Sequence, residues 1–130
     1  MPKFLLFLNS LYLGLGMFFS FYVAPVLFKV LQKEQAGRVV EKVFPVYFGI
    51  GLVVSLLSLM LGFRLSKWLT LLWILNVLIL AFQEFYVIPH SRELKLTDYQ
   101  AFMKLHGISV TLNLIHLLSV LILCVVLIKL

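Results

Sequence analysis

The chain has 130 residues, of which 63% are hydrophobic and only 12% charged, with a mean hydropathy of +1.12. A domain of this length has too little interior to hide so much apolar surface, which excludes a soluble globular fold. The net charge of +6 lies between apolar runs and forms no basic stripe on a recognition fold, so it excludes a nucleic-acid partner and points to lipid headgroups.

Four apolar runs of about 20 residues or more are long enough to cross a bilayer as helices. They predict an all-α, integral membrane four-helix bundle: one polytopic domain with spans near 4–31, 44–63, 67–88 and 105–128. Lys3 before the first run imitates a signal peptide, but the run is too long and lacks a small-x-small cleavage site, so it is expected to stay. Gly16, Ser20 and Ala24 form a small-residue stripe with Asn9 on roughly the same face, suited to close helix packing. Pro25 is expected to kink the last turns and free the carbonyl of Phe21.

Between spans one and two, Glu34 and Arg38 make a favourable i,i+4 pair, and Val39, Val40 and Val43 an apolar edge. This spacing predicts a short interfacial amphipathic helix ending at Phe44-Pro45. Tyr47, Gly51, Ser55, Ser58 and Gly62 then share a face of span two, and the short turn at Arg64 to Lys67 sets span three antiparallel beside it. Trp73, Asn76, Gln83 and Glu84 fall within roughly a 100° arc of span three, with Trp68 and Tyr86 near its ends and Pro89 expected to stop it. Thr97-Asp98-Tyr99-Gln100 reads as a T-x-x-Q capping box opening a second amphipathic helix, which runs into span four with a bend expected at Gly107. No internal repeat or low-complexity tract is evident.

Span four carries the most informative pattern. His106, Ser109, Asn113 and His116 fall in a stripe roughly 80° wide, in a medium where a polar side chain needs a protein or cavity partner. With Glu84 and Tyr47 reaching the same end from spans three and two, these are the candidate pocket residues. Glu84 has three readings: a functional carboxylate, a lock paired with Lys29, Arg38 or Lys104, or a protonated acid bonded to an amide. For His116 a neutral hydrogen-bonding role, with Asn76 or Asn113 as partner, outweighs ligation of metal or haem.

No metal or haem site is expected. His106 and His116 are about 15 Å apart along a helix, and a bis-histidine haem would need a second mid-membrane histidine or a homodimer. No catalytic motif and no catalytic residue is found. The longer connections hold seven Lys and Arg residues against four on the opposite face, which places them in the cytoplasm and the termini outside, in the cell inner membrane.

Several of these runs together resemble the transmembrane protein 205-like family, whose small bacterial members are classed as domain of unknown function 4149. They are Phe21 to Phe28 around Pro25, Ala36-Gly37-Arg38, Phe44-Pro45-Val46-Tyr47-Phe48, and Leu105 to Ser109 with Asn113. The family is similar in outline to four-helix units of copper-resistance D proteins and of a haem-pathway membrane oxidase. This chain departs from those in having no histidine in its first span. The resemblance implies the four-span fold and marks Pro25, Gly37, Arg38 and Pro45 as motif positions, but implies no activity. The favoured function is therefore a non-enzymatic membrane protein that binds or helps move a small polar or metal-containing ligand. Its rivals are a haem- or metal-handling redox protein, and a structural accessory subunit with a membrane-complex partner. A transport pathway through four spans would need a homo-oligomer.

Overall fold

A computed structural model describes residues 1–130. It is an all-α membrane bundle of four helices: α1, Pro2–Val30; α2, Lys33–Gly62; α3, Lys67–Thr97; and α4, Tyr99–Lys129. At 29, 30, 31 and 31 residues each is roughly 45 Å long, enough for the hydrocarbon core and part of both headgroup layers. The helices stand in a ring, each packed on its chain neighbours, and α4 closes onto α1.

The connections differ from the sequence reading. Residues expected to form separate interfacial helices are instead the first turns of α2 and α4, continuous through Pro45 and Gly107. Pro45 cannot donate to the carbonyl of Glu41, and a helix interior normally breaks there. Here Arg92 of α3 supplies the missing donor, its Nη2 reaching the Glu41 carbonyl at 3.3 Å. Nor does Pro89 stop α3, which runs on to Thr97. The cap of α4 is Asp98, whose carboxylate accepts from the Ala101 amide, while the Thr97 hydroxyl turns back to the Glu93 carbonyl.

The other two interior prolines are accommodated by π-turns. In α1 the turn covers Phe19–Val23 and the Ala24 amide donates to the Phe19 carbonyl; in α3 it covers Gln83–Val87 and the Ile88 amide donates to Gln83. Each closes on the residue before a proline, so the wider turn makes room where an ordinary one would clash. The same sequence underlies both: Phe21-Tyr22-Val23-Ala24-Pro25 and Phe85-Tyr86-Val87-Ile88-Pro89. At that same offset, buried Leu5, Asn9, Tyr12, Gly16 and Phe19 of α1 match buried Leu69, Trp73, Asn76, Leu80 and Gln83 of α3. The chain is therefore a tandem pair of helical hairpins, a repeat the composition of the two halves conceals.

Small residues let the helices close. A Cβ on Gly16 would stand 2.7 Å from Leu117 and from the Tyr47 hydroxyl, and one on Gly51 would overlap the Tyr12 ring. One on Gly62 would meet Trp73 at 2.6 Å and Leu5 at 2.8 Å. Of the α1 stripe, Gly16 is buried, Ser20 bonds to α4, and Ala24 lines a cavity. Gly62→Ala is expected to cost about 1–3 kcal/mol by overpacking. Gly14→Ala, with open space around it, should gain roughly 0.5–1 kcal/mol of helix propensity. Thermal unfolding in detergent micelles measures both.

Candidate functional site

In hydrocarbon a polar side chain without a partner is costly, so the buried polar residues should find one another. Most do, along the bundle axis; Asn76 Nδ2 and Ser119 Oγ are the two buried side-chain atoms left without a partner. Near the chain termini, Asn9 donates to Ser58 Oγ at 2.9 Å and receives Trp73 Nε1 at 3.4 Å. At mid-depth His116 is fully buried, with Nδ1 2.9 Å from Asn76 Oδ1 and Nε2 3.1 Å from the Tyr12 hydroxyl. Because an amide oxygen only accepts, His116 donates from Nδ1 and accepts from Tyr12 at Nε2. Tyr12 stacks on Tyr47, with ring centroids 5.6 Å apart. Tyr47 donates to Asn113 Oδ1 at 2.9 Å, and Asn113 donates to Ser20 Oγ at 2.8 Å.

Above that layer lies a partly open cavity of about 770 Å³, lined by all four helices at the end where α1 meets α2 and α3 meets α4. His106, Ser109 and Asn113 line it, with Ser20, Gly37 and Pro45. Ser109 donates to Gln83 Oε1 at 2.7 Å and its carbonyl receives Gln83 Nε2 at 2.9 Å, which ties the wall of α4 to the π-turn of α3. His106 is exposed, its ring stacked near Phe102. At the rim Lys95 pairs with Glu41 at 2.7 Å and Lys33 lies 5.6 Å from the Tyr99 ring centroid.

The stripe on α4 is thus divided. His106, Ser109 and Asn113 reach the cavity, whereas His116 is sealed beneath it; Tyr47 does not line it either, but bonds to Asn113 from behind. Glu84 does not line the cavity: it lies beside Gly49, with Oε2 3.1 Å from where a Cβ on Gly49 would be. It makes no salt bridge with Lys29, Arg38 or Lys104; the ion pair that forms is Lys95 with Glu41. The inward residue is its neighbour Gln83, about 100° around the helix, which is fully buried. Arg38 is exposed, and Pro25 follows the first π-turn. Sequence reasoning passed over the roles of Gln83, Arg92 and Lys95, although the proline four residues after Glu41 was a signal that its carbonyl needs a foreign donor.

Both ring nitrogens of His116 are engaged in hydrogen bonds, to Asn76 and to Tyr12. Nowhere do three His, Cys, Asp or Glu side chains converge in a geometry for a metal ion.

Fold and site together define a four-helix membrane protein with a paired polar axis beneath a cavity at one end. The chain belongs to the family described as Domain of unknown function (DUF4149), whose model matches residues 7–100. It is 57% identical over 116 residues to a protein of Aquifex aeolicus (strain VF5) described as uncharacterized, covering 89% of this chain and 88% of that one. No solved structure matches.

His116→Leu leaves Asn76 Oδ1 and the Tyr12 hydroxyl without partners and is expected to destabilise by about 1–3 kcal/mol for each group. His106→Leu removes no hydrogen bond and should stay within about 0.5 kcal/mol. Parallel denaturation of the two variants in micelles provides the comparison.

Proposed function

We propose that this protein is a non-enzymatic membrane protein that binds, or helps move, a small ligand with a polar end. The cavity carries this reading: all four helices contribute to it, and its volume lies in the range of small-molecule sites. His106, Ser109 and Asn113 give the ligand a polar contact, with Asn113 held from behind by Tyr47 and bonded to Ser20. A metal would arrive as part of the ligand, since the side chains bring no donor set of their own together. In this reading the protein sits in the inner membrane as a single domain with the cavity end cytoplasmic, supported by the excess of Lys and Arg there. Kinship with transmembrane protein 205-like proteins and, more distantly, copper-resistance D units belongs to the same proposal and rests on the Pro25, Gly37-Arg38, Pro45 and His106 to Asn113 motifs.

Single cysteines in a Cys124→Ala background, exposed to a membrane-impermeant thiol reagent, test the cavity. His106→Cys and Ser109→Cys should label, and His116→Cys should stay protected. Protection at Ser109→Cys would mean a sealed packing seam and no ligand site.

A further inference from the structure

The cavity is polar only at its floor and rim. One wall is apolar and faces lipid as well as the interior: Phe21 and Phe28 of α1, with Met103, Val110 and Leu114 of α4, line it while being at least 44% exposed. The reason lies in how α1 and α4 part. They pack together through Gly16 against Leu117 and are joined by the Ser20–Asn113 hydrogen bond. The π-turn of α1 falls at that level, and beyond it Ala24–Val30 packs on α2. The first turns of α4 pack on the other side, against Ile88–Thr97. A gap between α1 and α4 is left facing the hydrocarbon.

The rim has a sign. Lys33, Arg92 and Lys95 line it against Glu34 and Glu41. Lys95 already neutralises Glu41, which leaves Lys33 and Arg92 against Glu34 among the lining residues; Arg92 also lies near Glu84, which is outside the lining. An excess of cation over an apolar chamber open to lipid matches one kind of molecule.

We propose that the gap between α1 and α4 is a lateral portal, and that the cavity takes from the bilayer a single-chain anionic amphiphile. Its alkyl chain lies along Phe21, Phe28, Val110 and Leu114, and its carboxylate or phosphate head meets Lys33 and Arg92. This rests on the cavity being the ligand site and names the class of molecule it accepts. A freely soluble anion would have no use for the apolar wall, and a neutral lipid none for the cationic rim.

The test uses the full chain in phosphatidylcholine nanodiscs with a diazirine-tagged hexadecanoic acid, the crosslinked residues being mapped by mass spectrometry. Crosslinks should fall on Phe28, Val110 and Leu114, and dodecyl phosphate should compete about tenfold better than dodecanol. Inorganic phosphate should not compete. Ala24→Trp should abolish these crosslinks by filling the chamber, and Gly14→Trp, on the open surface, should leave them. Should Ala24→Trp fail to give a monodisperse protein, Val110→Trp on the opposite lip takes its place. Lys33→Gln with Arg92→Gln should erase the advantage of dodecyl phosphate over dodecanol, and Lys33→Gln alone should reduce it.

Crosslinks spread evenly over the lipid face and indifferent to Ala24→Trp would overturn the proposal. Equal competition by dodecanol would refute the anionic head, and competition by inorganic phosphate would refute the alkyl chain. If the amphiphile fails while Ser109→Cys still labels, the ligand class falls and the cavity stands; if Ser109→Cys is protected too, both fall.

Discussion

The structure depends on one constraint: inside hydrocarbon a hydrogen-bonding group must be matched by another, because no water will do it. His116 meets that constraint by bridging three helices, with Asn76 of α3 on one nitrogen and Tyr12 of α1 on the other. Tyr12 fits only because Gly51 of α2 leaves room for its ring. All four helices are thereby registered at one depth. The Asn9–Ser58–Trp73 group fixes the terminal end in the same way, and Tyr47–Asn113–Ser20 fixes the layer above. Between apolar helices in lipid, which gain little from burial, such bonds and small-residue contacts supply the specificity.

The tandem hairpins explain how so short a chain makes a closed ring. In the two halves the first helix presents its buried face at the same positions and then takes a π-turn before a proline. The halves differ where the site lies. After its π-turn α1 offers Ala24–Val30, with no buried residue and Phe28 exposed; after the second, α3 offers Ile88–Thr97, whose Arg92 and Lys95 clasp α2 at Glu41. One arm is tied down and the other leaves a gap toward α4. The cavity is the product of that asymmetry.

Much of this was legible in the sequence. Length and hydropathy gave four membrane helices, and the spacing of Gly16, Gly51 and Gly62 gave their packing faces. The inward stripe from Ser109 to His116 could be read from helical periodicity alone. Its division into a cavity and a sealed seam could not, since that depends on Tyr12 and Asn76 arriving from other helices. Glu84 drew attention because a charge in hydrocarbon is expensive, yet one position of helix rotation puts Gln83 inside instead. Pro45 and Pro89 were read as helix ends by local rules; a guanidinium from α3 and a π-turn let both helices continue. The Phe-Tyr-Val-x-Pro repeat lay in plain view, but conserved spacing without conserved residue types hid the rest of it.

The structure turns on His116 being sealed beneath the cavity between Asn76 and Tyr12, although Asn76 Nδ2 has no partner of its own. Solid-state NMR of the protein in lipid bilayers, with histidine labelled by nitrogen-15, tests it at His116. The expected result is one neutral tautomer protonated at Nδ1, coupled to Asn76, and no polarisation transfer from bulk water to that ring. A mixture of tautomers, or a His116 ring that water reaches as readily as it reaches His106, would contradict it.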